Sequence, residues 1–135
     1  MGESRYRVSL RVFHPSLDPR EISMALGMEP QFSWRAGEPR MAPKGRPLKG
    51  IRNETYWCAA VFDGTATFAA DIDGALQRLA AHKAFLRRVR AEGGRVEFFV
   101  GWYVHSRAGE TVSHSTLAEM ANLGIDLAFD TYSDP

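Results

Sequence analysis

The sequence predicts an α+β fold, a single mainly antiparallel sheet of about four strands with helices on one face. Three observations carry that prediction. Four segments alternate apolar and polar residues with period two, as strands with one buried and one wet face do. Three others, two short and one long, carry apolar residues at helical spacing. Strands with one polar side need cover on the other side only, which antiparallel sheets tolerate. The order strand-helix-strand, long helix, strand-helix-strand is compatible with a ferredoxin-like sandwich.

The first strand is expected over residues 6–13. Tyr6, Val8, Leu10 and Val12 point one way and Arg5, Arg7, Ser9 and Arg11 the other. His14-Pro15-Ser16-Leu17 then turns the chain, because proline cannot donate to a ladder. Asp18 stands as an N-cap, with Pro19 at the first helical position and Glu21 at the third. Ile22, Ala25 and Leu26 form the apolar stripe of a helix little more than two turns long, and Gly27 is placed to end it in a left-handed conformation.

Residues 31–54 contain Pro39, Pro43, Pro47, Gly37, Gly45 and Gly50 and show no apolar periodicity, so nearly all of this stretch reads as loop. A loop that long needs a reason, and the usual reasons are a binding role or disorder. Over 35–54, Arg35, Arg40, Lys44, Arg46, Lys49 and Arg52 face only Glu38 and Glu54, a local balance of +4.

A second strand is expected over 56–62, followed by turn chemistry at Asp63-Gly64-Thr65. Ile72, Ala75, Leu76, Leu79, Leu86 and Val89 define a long helix over 71–92, ended by Gly93-Gly94 and kinked or split where His82 and Lys83 interrupt its apolar face. An aromatic-rich third strand spans 96–104. After the polar segment 105–114, a short helix capped by Ser115 and stopped by Gly124 leads into a fourth strand over 125–132. The chain is expected to be one domain, 1–135, with two similarly planned halves, 5–62 and 95–132, around the long helix.

Composition narrows the function classes. Apolar residues make up 44% of the chain and charged ones 24%, enough to build a core. The net charge of +1 gives no global field of the kind that attracts duplex DNA, so electrostatic recognition has to be local. Cys58 is the one cysteine, which excludes an internal disulfide and a multi-cysteine zinc site. Residues 1–7 hold no apolar run of signal-peptide type and no window resembles a membrane span, so the cytoplasm is the expected compartment.

Asp18-Pro19-Arg20-Glu21-Ile22-Ser23, Leu26-Gly27-Met28-Glu29-Pro30, Trp34-Arg35-Ala36-Gly37-Glu38 and Tyr56-Trp57 resemble a family of small bacterial domains of unknown function. The resemblance covers the first sixty or so residues by motif and the rest by element order. Where that family places a small Ser or Gly before the strand tryptophan, this chain has Tyr56. The resemblance implies a shared domain and no assigned activity.

Candidate sites follow from the residues. Trp34, Arg35, Gly37, Glu38 and Trp57 could form a ligand-binding cluster, with an aromatic wall, a guanidinium fork for a carboxylate or phosphate, and an orienting carboxylate. The competing reading packs Trp34 on Trp57 and pairs Arg35 with Glu38 as structure alone. Arg40, Lys44, Arg46, Lys49 and Arg52 are the partner-binding residues expected of the basic loop, for an acidic protein or nucleic-acid phosphates, against the competing reading of a solvated loop with no partner. Arg5, Arg7 and Arg11 beside Phe99 and Tyr103 would suit single-stranded RNA on the open sheet face, though 95–102 matches the relevant strand signature at only about half its positions. The same face could instead join a second copy as a homodimer.

His14, His82, His105 and His114 show no ligand-pair spacing, and neither a Gly-x-Ser-x-Gly elbow nor a phosphate-cradling glycine loop is present. No catalytic residue, metal or cofactor is therefore expected. The leading expectation is a non-enzymatic binding module, of immunity type or similar, acting on a protein partner. A small-molecule or enzymatic site at the Trp34 cluster comes next, and nucleic-acid binding ranks below both.

Overall fold

The computed structural model describes residues 6–63, 67–104 and 109–133. Arg5, the Gly64-Thr65 part of the expected turn and His105 lie outside the described residues. Strands are β1 (Tyr6–His14), β2 (Phe32–Trp34), β3 (Pro39–Met41), β4 (Pro47–Ile51), β5 (Thr55–Asp63), β6 (Arg95–Val104) and β7 (Ile125–Ser133). Helices are α1 (Pro19–Leu26), α2 (Phe68–Leu79), α3 (Lys83–Ala91) and α4 (His114–Leu123), with a 3-10 turn at Ala80–His82.

The fold is α+β, but the main sheet has five strands in the order β2-β5-β1-β6-β7, and β3 and β4 form a separate two-stranded ribbon. The expected antiparallel character holds for β1 with β5, β1 with β6 and β2 with β5. It fails for β6 and β7, which run parallel. The cause is topological: α4 carries the chain from one end of β6 back to the other, and a strand reached through such a crossover returns parallel to its neighbour. The full element order also departs from the simple β-α-β-β-α-β order of a ferredoxin-like sandwich.

Local signals explain the helices. Asp18 accepts a hydrogen bond from the Arg20 N–H, Pro19 opens α1, and Gly27 closes it at φ 65°. The long helical stretch is split as the sequence suggests: α2 passes through the tighter 3-10 turn, and α3 restarts at Lys83 with Leu86 and Val89 facing the core. Two helix starts differ from expectation. Thr67 caps α2, so that helix begins at Phe68 and not at Asp71. Ser113, rather than Ser115, caps α4 by accepting from the Thr116 N–H, so His114 is already helical.

The core lies between the sheet and the helices. Val8, Leu10 and Val12 of β1, Trp57 and Ala59 of β5, and Val96, Phe98 and Val100 of β6 meet Ile22, Leu26, Ile72, Leu76, Leu86, Val89 and Leu123 from the helices. No described helix is long and apolar enough to cross a membrane.

Candidate functional site

The stretch after α1 is more ordered than a loop. Phe32 to Trp34 adds a short strand to β5, with Phe32 opposite Cys58, Ser33 opposite Trp57 and Trp34 opposite Tyr56. Gly37 then turns at φ 90°, and its N–H bonds the Arg52 carbonyl while the Arg52 N–H bonds the Glu38 carbonyl, closing the base of a hairpin. At the tip the Ala42 N–H reaches the Arg46 carbonyl and Gly45 turns at φ 83°. The expected loop over 35–54 is therefore largely the β3–β4 ribbon, irregular between Pro39 and Met41. Pro43-Lys44-Gly45 between two short runs was the available signal, since three- to five-residue turns containing glycine join hairpins; the three prolines concealed it.

Thr55 fastens this ribbon to the body. Its hydroxyl donates to the Leu17 carbonyl at 2.6 Å and accepts from the Ala36 N–H at 3.1 Å, so one buried side chain ties the β1–α1 turn to the foot of the hairpin. His14 reinforces the same corner. Its Nδ1 accepts from the Ser16 and Leu17 N–H groups, which leaves Nε2 to carry the proton toward Glu92 at 2.8 Å.

The two expected site groups are partly merged and partly separated. Trp34 lies on the open face against Tyr56, ring centroids 4.7 Å apart, with the Arg52 guanidinium 3.8 Å above it. Trp57 points the other way: it is 0% exposed, and its indole N–H donates to the Ser23 hydroxyl on α1. Neighbouring residues on a strand face opposite sides, so the pairing of Trp34 with Tyr56 puts Trp57 out of reach. Trp34 and Trp57 do not pack on each other.

Arg35 and Glu38 meet through the backbone, the Glu38 N–H donating to the Arg35 carbonyl. The Arg35 guanidinium instead reaches the Ser16 carbonyl at 3.2 Å and Asp18 at 3.6 Å. Arg20 bonds the same carboxylate, and its side chain and N–H together hold the Asp18 carboxyl below the ordinary carboxylate range. A recess of about 420 Å³ between α1 and β2 thus has Asp18, Glu29 and Glu38 beside Arg20 and Arg35. Its cations already have carboxylate or carbonyl partners, which lowers its attraction for a free anion.

On the far side of Trp34 a second recess, about 490 Å³, is lined by Trp34, Arg40, Lys49, Ile51, Arg52 and Glu54. This brings Trp34 of one expected group together with Arg40, Lys49 and Arg52 of the other. Arg52 spends Nη2 on the Met41 carbonyl at 3.1 Å, while its Nε is buried and lacks an acceptor among the described residues. Lys44 and Arg46 stand exposed at the ribbon tip, away from this recess. The ribbon also exposes Met41, Leu48 and Ile51, the last 58% accessible. Sequence reading counted the charges here and missed this aliphatic component.

The open sheet face is partly spent on itself. Arg11 is bonded to Glu97 at 2.8 Å and lies 4.2 Å from the centre of the Phe99 ring. Arg95 covers Phe13 at 3.8 Å, and Tyr103 stacks on Tyr132 at 5.1 Å. Arg7 stands opposite Gly101, which sets Phe99 and Tyr103 as its diagonal neighbours on the same face. Burial, followed by the neighbouring Cys58, pushes the Tyr56 hydroxyl up to about 12. Among the described residues no group of three His, Cys, Asp or Glu side chains is arranged to hold a metal ion.

The chain's residues 4–134 match the family described as "Domain of unknown function (DUF4279)", and the chain belongs to that family. No curated protein and no solved structure matches it.

Proposed function

We propose that this chain is a cytoplasmic binding module that docks an acidic protein surface on its β3–β4 ribbon, in the manner of an immunity protein. The observation that carries the reading is the composition of the ribbon. Arg40, Lys44, Arg46 and Lys49 alternate with exposed Met41, Leu48 and Ile51, while Arg52 is fixed on Trp34 at its foot. Protein interfaces combine an apolar centre, an anchoring Trp or Arg and a charged rim. An exposed apolar patch rimmed by polar groups marks such a surface. Single-stranded nucleic acid would call for exposed aromatic platforms among the cations, and the apolar residues of the ribbon itself are aliphatic. The rival small-anion site at Arg35 is disfavoured because that guanidinium is already engaged with Ser16 and Asp18.

The test compares the wild type with Lys44→Glu/Arg46→Glu as immobilised baits in the native cell extract, at about 50 and about 300 mM salt, since screening weakens exposed charge attraction. The expected result is one acidic protein recovered by the wild type at low salt and lost with the variant. Equal recovery by both baits, or recovery of RNA in place of protein, overturns the proposal.

A further inference from the structure

We infer that the chain forms a two-fold dimer by antiparallel pairing of β7 with the β7 of a second copy, joining two sheets edge to edge. β7 is an outer strand of the main sheet and is nine residues long. Sheet edges in monomers are normally blunted by shortness, proline, lysine, a bulge or a covering segment. Ile-Asp-Leu-Ala-Phe-Asp-Thr-Tyr-Ser contains no proline and no cation, and its register with β6 runs without a shift from Val96 opposite Ile125 to Val104 opposite Ser133. The other edge, β2, is only three residues long. No described strand pairs with the outer edge of β7, and apolar side chains flank it on both faces: Phe129, 54% exposed, and Leu117 of α4 on the helix side, Tyr132 on the open side.

A second copy is the occupant the charge pattern fits. A two-fold axis perpendicular to the sheet keeps both helix layers on one side, so it opposes residues that share a face. Centred on Phe129, it sets Asp126 opposite Tyr132, Leu127 opposite Thr131, Ala128 opposite Asp130, and Phe129 opposite its own copy. All nine residues then find a partner and no like charges stand directly opposite each other. Centring on Ala128 would oppose Asp126 to Asp130, and centring on Asp130 would oppose that residue to itself; like charges directly across a pair are destabilising. Both carboxylates also have partners already, Asp126 in Arg90 at 2.8 Å and Asp130 in the Tyr132 hydroxyl at 2.7 Å. An unrelated extended peptide would gain the backbone bonds but would not inherit this self-matching register.

The experiment is light scattering on the full chain at about 100 µM, backed by cross-linking. The expected mass is twice the 15.1 kDa of one chain. Phe129→Lys should return the monomer mass with an unchanged far-UV spectrum, weakening association at least tenfold, because it places two ammonium groups face to face. Phe129→Cys should form an intermolecular disulfide on oxidation, since directly opposed strand residues lie within the Cα separation that a disulfide spans. A monomeric wild type overturns the proposal, as does a Phe129→Lys protein that stays dimeric. Failure of Phe129→Cys to cross-link while the dimer persists overturns the register.

Discussion

The two strand-helix-strand units begin alike and end at opposite edges of the sheet. In the first, Asp18 caps α1 and Gly27 ends it at φ 65°; in the second, Ser113 caps α4 and Gly124 ends it at φ 72°. From Gly124 the chain enters β7 at once, and β7 lies parallel beside β6. From Gly27 it first makes β2 and the β3–β4 ribbon, reverses, and arrives antiparallel beside β1. Identical helix punctuation therefore says nothing about the direction of the returning strand, which the reversals in between decide. One edge leaves this process short, with a basic ribbon attached; the other leaves it nine residues long and unpaired by any described strand.

The largest effect should come from the side chain that holds the ribbon-bearing edge to the core. Trp57→Ala removes a fully buried indole and the hydrogen bond it donates to the Ser23 hydroxyl, at a cost of about 3–5 kcal/mol in denaturant unfolding. Trp34→Ala, on the outer face of the same edge, should cost less than half of that. Equal costs would mean that the two tryptophans share one structural role. Thr55→Val follows: it strips the Leu17 carbonyl and the Ala36 N–H of their shared partner and should cost about 2–4 kcal/mol. A nearly neutral result would show that the ribbon is not fastened at its foot.

How much of this was readable depended on the range of the signal. The α1 cap, both closing glycines and the break at His82-Lys83 were legible because each is settled within a turn of helix. The facing of Trp57 was legible only in part. Its place in an alternating strand was visible, but whether its side met α1 or solvent depended on which neighbours paired with β5. The ribbon was hidden by its own composition: Pro39, Pro43 and Pro47 argue against strands, yet in an isolated two-stranded ribbon a missing N–H can face solvent at no cost to the ladder. The parallel β6–β7 pair was out of reach of alternation, which reports burial and not direction. The merging of Trp34 with Arg52 needed the ribbon's register and so was lost along with it.

A smaller effect separates the two helix ends. At Gly27 an added Cβ meets nothing within 4 Å, so Gly27→Ala carries only the left-handed backbone cost of about 1–2 kcal/mol. At Gly124 the same Cβ comes 2.9 Å from the Arg90 Cδ. Gly124→Ala should therefore lose a few tenths of a kcal/mol more, as Arg90 shifts and loosens its exposed pair with Asp126. Paired thermal melts of the two variants check the order, and a larger loss at Gly27 would contradict it.

The smallest stability change is expected at the ribbon tip, and there its smallness is the informative part. Lys44 and Arg46 are exposed, and the turn between them rests on backbone bonds from Ala42 to Arg46 and from Gly45 to Ala42, with Gly45 supplying the positive φ. Replacing both cations with glutamate touches none of these supports, so unfolding free energy should stay within about 0.5 kcal/mol of the wild type. The local charge nevertheless falls by four, from +4 to zero, enough to remove the attraction for an acidic surface. A variant that keeps its fold and loses its partner would assign these charges to recognition. A loss above about 1 kcal/mol would instead make them part of the scaffold, and the ribbon-bearing edge would then differ from the β7 edge in construction alone.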